Sequence, residues 1–287
     1  MRSDYLFLNQ KENTKMKPLR FIIPLLAGSA VFGIMALTDA ARAEDKGTKE
    51  LAKQSQNPVS SLISVPFENI SSFNNGPNNA YVNTMLIKPV LPVNISEKWN
   101  LINRGIIPVI YQGELIDGIG SKFGMGDVTY QGFLSPAKPG KFIWGVGPTV
   151  SFPTGARRMT SDKWSAGPAV IGLSMPGNWV VGALAFNLWS FAGDDDAADV
   201  NAFSFQYFIN YNLPKGWYLS ASPTITANWK ADSDDRWTVP FGGGFGRVFN
   251  IGKQPVNVSL KAYYNVVHPD DASNWNIAAQ FTFLFPK

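Results

Sequence analysis

The end of the chain, NWNIAAQFTFLFPK, alternates in a way that few surroundings can stabilise. Large apolar or small side chains take every second position from Trp275 to Phe285, and Asn276, Gln280 and Thr282 lie between them. A period of two is that of a β-strand, whose successive side chains point to opposite faces. The three phenylalanines in this stretch therefore share one face of a strand and need an apolar environment.

The same alternation recurs in three earlier segments. These are NAFSFQYFINYNL (201–213), WYLSASPTITANW (217–229) and VNVSLKAYYNVV (256–267). Each has one apolar face and one face on which Asn, Gln, Ser, Thr, Tyr and Lys predominate. Aromatic residues sit near the ends of apolar faces, as interfacial residues do in membrane strands: Trp217 and Trp229, Trp237 and Phe249, Trp275 and Phe285. Strands in hydrocarbon satisfy their backbone only in a closed barrel, so the sequence predicts an all-β, transmembrane, antiparallel up-and-down β-barrel.

The composition agrees with many strands joined by turns. Charged residues are only 16% of the 287 residues, aromatic residues are 13%, and there are 26 Gly and 20 Pro. The absence of cysteine excludes disulfides and thiolate sites. Residues 1–43 contain six of the 25 basic residues and three of the 21 acidic residues. Residues 44–287 therefore contain 19 basic and 18 acidic residues. This near-neutral remainder gives no reason to expect a nucleic-acid partner.

Twelve strands are predicted from the spacing of turn signals. They lie at about 61–70, 80–91, 99–111, 127–136, 142–153, 164–174, 179–191, 201–213, 217–230, 236–249, 256–267 and 275–285. Tight turns such as 175–178 and 214–216 alternate with acidic loops such as 193–199 and 268–273, the pattern of short periplasmic turns and longer outer loops. The alternative is a ten-strand barrel with the N-terminal part folded inside.

The N-terminal region has the order of a secretory signal peptide. Basic residues precede an apolar run at 21–37, and Ala41-Arg42-Ala43 follows as an A-x-A cleavage site. We therefore expect residues 1–43 to be a signal peptide, with 1–15 an over-extended start, and the alternative is a membrane anchor. Residues 44–60 are expected to form a short polar helix that ends at Asn57-Pro58, either as a periplasmic segment or as a partial plug of the barrel.

Several motifs resemble one family of bacterial outer-membrane proteins. They are LAKQSQNPVSSLISVPFEN (51–69), WNLINRGIIPVIYQ (99–112), GMGDVTYQGFLSP (124–136), FQYFINYNLPKGWYL (205–219) and the terminal FLFPK. The family is catalogued as "putative MetA-pathway of phenol degradation", and its members often carry the misleading label "neuromedin U". The resemblance covers nearly all of residues 44–287, and it implies a barrel of the 12-strand type and a role in the uptake or transport of small molecules, aromatic ones included.

Catalytic and metal-binding motifs are weak. The single histidine, His268, cannot build a multi-histidine metal site, and no serine is placed beside it by the pattern. The stretch GIGSKFGMG lacks the strand-turn-helix context of a nucleotide site. Asp194, Asp195 and Asp196 are expected to be a solvated acidic loop, with a Ca²⁺ or lipopolysaccharide contact as the alternative. We therefore predict no enzyme activity, no cofactor and no metal.

The best candidates for function are charges inside the predicted wall. Lys88, Arg104 and Lys261 interrupt apolar surroundings, and a charge facing lipid at mid-depth costs about 2–4 kcal/mol, so all three are expected to face the lumen. There they attract an anionic or phenolic solute, or pair with a neighbouring carboxylate. Other expected lumen-lining residues are Gln206, Asn210, Asn228, Tyr263 and Asn265.

Three functions follow from this reading, and the first is favoured. It is a passive outer-membrane channel or transporter for small hydrophobic or aromatic solutes. The second is a closed structural or interaction barrel, and the third is a lipid-modifying enzyme in which His268 lies beside a serine. The expected partners are outer-membrane lipids and lipopolysaccharide, the barrel-assembly machinery through the C-terminal strand, and a small-molecule solute.

Overall fold

The structure is a computed structural model that describes residues 45–157 and 159–286. The predicted signal peptide at 1–43 lies outside the described residues. Within the described ranges, no helix has the length and apolar character needed to cross a bilayer.

The described chain begins with one helix and continues as strands. The helix α1 spans Asp45–Ser55, and a single 3-10 turn spans Pro214–Gly216. The strands are β1 (Ile63–Asn75), β2 (Ala80–Ile87), β3 (Val90–Asn94), β4 (Trp99–Gln112), β5 (Lys122–Met125), β6 (Val128–Pro136), β7 (Phe142–Phe152), β8 (Lys163–Ser174), β9 (Trp179–Gly193), β10 (Asn201–Asn212), β11 (Trp217–Ala221), β12 (Thr224–Asn228), β13 (Trp237–Ile251), β14 (Gln254–Val267) and β15 (Trp275–Phe285).

The strands close into one antiparallel barrel. Strands pair with those before and after them around the ring, and β15 closes the ring on β1, from Ile63 opposite Phe285 to Phe73 opposite Trp275. Three barrel strands are each made of two segments, β2 with β3, β5 with β6, and β11 with β12. The barrel therefore has 12 strands, which confirms the predicted fold class and makes the ten-strand alternative wrong.

The interruptions explain where the predicted strand bounds differ. The strand predicted at 80–91 breaks at Lys88-Pro89 and resumes to Asn94, and the one predicted at 217–230 breaks at Ser222-Pro223. Proline has no N–H to donate to a ladder, so the pairing stops there. The first strand also extends to Asn75, because residues up to Phe73 pair with β15 and Asn75 pairs with Ala80 of β2.

The predicted alternation of faces holds on the last strand. Trp275 is 50% exposed and Phe283 is 37% exposed on the outside, while Ala278, Thr282 and Leu284 are buried on the inside. Ring pairs form at both ends of the outer surface, such as Tyr264 with Trp275 at one end and Trp179 with Tyr211 at the other. A belt of exposed apolar side chains with aromatic ends is the surface that lipid requires.

The interior has a polar side and an apolar side. On β14, the inward residues Asn257, Ser259, Lys261, Tyr263 and Asn265 give a wettable wall, as the sequence predicts. The opposite wall, from β4 and β6 to β10, carries a buried apolar cluster. Its barrel members are Ile102, Phe133, Ile143, Ala169, Ile171, Leu173, Val180, Leu184 and Phe208. The lumen is thus not lined by polar groups throughout.

Tight turns and long connections lie at opposite ends of the barrel. One end carries the short connections at 95–98, 137–141, 175–178, 213–216 and 252–253, and we call it the turn end. The other carries those at 76–79, 113–121, 153–162, 194–200, 229–236 and 268–274, and we call it the loop end.

Candidate functional site: the barrel lumen

A cavity of about 150 Å³ lies inside the barrel, and we call it the inner cavity. It is bounded by residues 54–58, at the end of the helix and just after it, and by inward side chains of β1, β10, β11, β14 and β15. Lys88, Arg104, Gln206, Asn210 and Lys261, five of the lumen-lining candidates predicted from the sequence, line it together with Glu68.

The cations of the inner cavity differ in their partners. Lys88 Nζ pairs with Glu68 Oε2 at 2.5 Å, the arrangement expected of structural pairing. Lys261 Nζ donates to Ser222 Oγ at 2.8 Å, and Arg104 Nη1 donates to Gln131 Oε1 at 3.2 Å. Among the described residues, neither Lys261 nor Arg104 has a carboxylate oxygen within 4.0 Å.

Gln131 adds an unused donor next to Arg104. It is 1% exposed and faces inward on β6, opposite Arg104 on β4. Its Oε1 accepts the bond from Arg104, and its Nε2 has no hydrogen-bond partner among the described residues. Arg104 and Gln131 therefore offer several N–H donors and few acceptors.

The remaining predicted residues lie elsewhere along the lumen. Asn228 lines a second cavity near the loop end. The OH of Tyr263 accepts a hydrogen bond from the backbone N–H of Ser222, where β11 ends, so it braces the strand break. Asn265 is buried and donates through Nδ2 to the carbonyl oxygen of Ser273 in the last loop. The predicted residues thus do not form one cluster.

An apolar surface meets the charged one at the inner cavity. Val90, Phe208, Pro58 and Pro66 line the same space as the three cations. Val90 and Phe208 also contact the apolar cluster of the opposite wall. The cavity is therefore amphipathic, with cations on one side and aliphatic and aromatic carbon on the other.

Polar contacts join the N-terminal segment, residues 45–60, to the barrel. Lys49 Nζ donates to Asn178 Oδ1 at 2.6 Å, in a connection of the turn end. Gln56 Nε2 donates to Asn212 Oδ1 at 2.9 Å, and Asn212 Nδ2 donates back to Gln56 Oε1 at 3.1 Å.

The inner wall also holds the end of the helix. Asn257 Nδ2 donates to Ser55 Oγ at 3.2 Å, while Asn257 Oδ1 accepts from the Tyr218 hydroxyl at 2.8 Å. Together these bonds attach the helix to a connection of the turn end through Lys49 and to the inner wall through Ser55.

Apolar packing and one glycine complete this attachment. Ala52 is fully buried in a cluster with Leu62, Tyr218, Val248 and Leu284. Gly216 has φ +74°, and a Cβ there would lie 2.1 Å from the Val248 oxygen and 2.7 Å from Thr48 Cγ2. The helix approaches the turn so closely that only glycine fits.

The second cavity, of about 760 Å³, opens among the loops, and we call it the loop-end cavity. Asp162, Asp199, Ser204 and Thr226 are among its lining residues. Lys230 Nζ donates to Asp199 Oδ2 at 3.2 Å, and Lys163 Nζ lies 3.9 Å from Asp199 Oδ1. The hydrogen bond and charge of Lys230 hold the pKa of the Asp199 carboxyl below its usual value, and Lys163 adds to this effect.

His268 lies in the last loop and makes a local contact. Its Nδ1 lies 2.8 Å from the carbonyl oxygen of Pro269, and no serine bonds to its ring among the described residues. No group of three or more metal-ligating side chains occurs in the described ranges.

Sequence reasoning missed Glu68 and Gln131. Glu68 is the only acidic residue in the predicted first strand, and this was the available signal that it faces inward to a cation. Gln131 has no such signal, because a lone glutamine in TYQGFLSP is as compatible with an exposed site as with a buried one.

The fold is similar to solved outer-membrane proteins. An outer membrane channel from Pseudomonas putida F1 is 15% identical with a TM-score of 0.61, over 78% of this chain and 94% of that one. The NanC porin is 10% identical (TM-score 0.49, 78% and 100% covered), and the phospholipase dimer of Salmonella typhi is 14% identical (TM-score 0.43, 85% and 99% covered). At these identities the likeness to the P. putida channel shows the barrel fold alone, and the two lower scores carry no argument.

Sequence comparison identifies the family. Comparison with curated protein sequences finds no match. The profile of one family matches residues 69–285, most of the chain and all but the first residues of the barrel. The chain therefore belongs to the family described as "Putative MetA-pathway of phenol degradation".

Proposed function

We propose that this protein is a passive outer-membrane channel for small hydrophobic or aromatic solutes. The observation that carries the proposal is that the closed barrel encloses vacant space, in the inner cavity and the loop-end cavity. A barrel that served only as a structural wall would gain stability by filling this space with side chains. The description of the family supports an aromatic solute.

The apolar wall suits a solute with little hydration. Ile102 and Phe133 are fully buried in this wall, and Phe208 and Val90 extend its apolar surface to the inner cavity. A hydrophobic solute gains contact with such a surface, whereas a sugar would lose hydrogen bonds to water. We infer that the solute follows this wall from the loop end to the inner cavity.

The N-terminal segment is proposed to be a partial plug. Residues 54–58 line the inner cavity on the side of the turn end, and the bonds of Lys49, Gln56 and Ser55 hold them there. The polar bonds of Gln56 and Ser55 can exchange with water when residues 54–58 move, while Ala52 stays packed in its apolar cluster. The same bonds favour the second candidate, a sealed barrel, if the segment never moves.

Placement in the cell follows from the same proposal. The belt of exposed apolar side chains is proposed to lie in the outer membrane, with the turn end in the periplasm and lipopolysaccharide at the loop end. Residues 1–43 are proposed to direct export as a signal peptide, and β15 to be recognised by the barrel-assembly machinery. The contact between His268 and a backbone carbonyl gives no support to a lipid-modifying enzyme.

Reconstitution separates the channel from the sealed barrel. The full chain, purified from outer membranes, is inserted into planar bilayers, and ionic current is recorded. Liposomes that contain the protein are also tested for swelling in small solutes. We expect discrete conductance steps and swelling above that of protein-free liposomes. Neither current nor swelling from folded protein would leave the sealed barrel as the function.

A further inference from the structure

We propose that the inner cavity is a binding site for small carboxylates that carry a single aromatic ring. This inference rests on the channel function proposed above and narrows its substrate class. It depends on the charge, the unused donors and the dimensions of the cavity.

The charge of the inner cavity is unbalanced. Lys88, Arg104 and Lys261 line it, and Glu68 is the one carboxylate among the described residues that do so. Glu68 pairs with Lys88. Two positive charges therefore remain, on Arg104 and Lys261, and neither has a carboxylate within 4.0 Å in the described part of the chain. Charges removed from bulk water favour a counter-ion, so the cavity favours an anion.

The free donors match a carboxylate. Arg104 uses Nη1 on Gln131, and the rest of its planar guanidinium carries further N–H groups. Gln131, which is 1% exposed and is not a lining residue of the cavity, holds Arg104 in place through this bond. A carboxylate accepts hydrogen bonds on both oxygens and pairs with a guanidinium in a bidentate manner.

The dimensions and the apolar lining fit one aromatic ring. A cavity of about 150 Å³ is the size that, in a well-studied engineered protein, binds benzene. Val90, Phe208 and Pro66 give the ring an apolar surface beside the cations. A phenol keeps its proton at neutral pH, because phenolic groups titrate at about pH 10. The cations therefore favour an aromatic carboxylate over a neutral phenol.

Equilibrium binding tests this assignment. The folded full chain in detergent micelles is titrated with benzoate, benzyl alcohol and acetate at neutral pH, and heat is recorded. We expect benzoate to bind at least about tenfold more tightly than either of the others, the gain of a charged hydrogen bond or of ring burial. Equal affinity for benzyl alcohol, equal affinity for acetate, or no binding of benzoate would each overturn the proposal.

Substitutions locate the site. Arg104→Met and Lys261→Met are each expected to weaken benzoate binding about tenfold or more. Lys253→Met, in an exposed connection of the turn end, is the control and should bind benzoate as the parent does. If Arg104→Met fails to fold, Arg104→Lys replaces it, since it keeps the positive charge and removes the planar guanidinium that pairs with a carboxylate. The proposed site would be contradicted if Lys261→Met and the Arg104 variant that folds both bound benzoate as tightly as the parent protein.

The two proposals fail in different ways. If small solutes cross the barrel but benzoate neither binds nor competes, the carboxylate site is wrong and the channel stands. If benzoate binds as expected but no solute or ion crosses in reconstituted membranes, the site stands and the channel is wrong.

Discussion

Gln56 and Asn212 exchange two side-chain hydrogen bonds, of 2.9 and 3.1 Å, across the inside of the barrel. Asn212 is 1% exposed on β10, and Gln56 follows the N-terminal helix. The pair satisfies the buried amide of Asn212 and the half-buried amide of Gln56 at once, and an unpaired buried amide would cost free energy. It therefore fixes the N-terminal segment to the wall at the place where the inner cavity ends.

Replacing Gly216 should loosen the helix from the turn end. Gly216→Ala places a methyl group within 2.1 Å of the Val248 oxygen and 2.7 Å of Thr48, at a φ of +74°. The left-handed φ alone costs ~1–2 kcal/mol, and the clash adds to this cost. Thermal unfolding of the barrel, followed by circular dichroism, should show a lowered midpoint.

Gly177→Ala is the matched control for this strain. Gly177 also has a left-handed φ, of +55°, but no atom lies within 4 Å of its added Cβ. Gly177→Ala should therefore lower the midpoint of thermal unfolding only by the free-energy cost of a left-handed backbone. Equal midpoints for the two variants would mean that the contact between the helix and the turn does not stabilise the barrel.

Removing Glu68 should increase the preference of the channel for anions. Glu68→Gln leaves Lys88, Arg104 and Lys261 with no carboxylate beside them among the described lining residues. The anion-to-cation permeability ratio, taken from reversal potentials in a salt gradient, should rise by at least about twofold. Asp234→Asn, in an exposed outer loop, should leave the ratio unchanged. A constant ratio in Glu68→Gln would show that ions avoid this cavity, and a ratio that falls would contradict its preference for anions.

Adjacent residues of β12 should respond oppositely to a charge. Ile225 pairs with Phe205 on the outer face, whereas Thr226 lines the loop-end cavity. Ile225→Lys should destabilise the barrel by about 2 kcal/mol, because the ammonium meets lipid. Thr226→Lys should cost less, since its side chain reaches water. Urea unfolding in lipid vesicles measures both, and equal losses would place the two faces in the same environment.

The pKa of Asp199 should depend on Lys230. Lys230 lowers this pKa by a hydrogen bond and by its charge, so Lys230→Met should raise it towards the usual carboxyl value. Because the folded pKa is depressed, the contact stabilises the loop at neutral pH and is lost as pH falls through the lowered pKa. Carboxyl ¹³C shifts measure the titration, with Lys253→Met at the turn end as control. An Asp199 pKa that is the same with and without Lys230 would contradict the contact.

Much of the barrel could be predicted from strands whose two faces differ. In β14 and β15 one face is apolar and the other polar, so period, face and pairing order follow from the residues. The apolar inner wall could not be predicted in this way. In β8, the inward Ala169, Ile171 and Leu173 and the outward Val170 are all apolar, so hydropathy does not distinguish lumen from lipid.

The functional site was predictable only in part, because a local pattern does not show which residues meet across strands. Lys88, Arg104 and Lys261 stand out because a charge in an apolar strand must face inward. Which partner each one has depends on pairing across strands, as between Arg104 on β4 and Gln131 on β6. Contacts between Gln56 and Asn212 join positions 156 residues apart, and no local pattern encodes them.

Solutes and ions are proposed to cross the lumen past the N-terminal segment. The chain has no cysteine, so Gln56→Cys with Asn212→Cys gives one unique pair for a short, reducible bis-thiosulfonate cross-linker. The measurement is the conductance of this variant in planar bilayers before cross-linking, after it, and after reduction. We expect cross-linking to lower the conductance to near that of a protein-free bilayer and reduction to restore it, while either single cysteine variant is unaffected. Conductance that is the same in all three states, or absent in all three, would contradict the account.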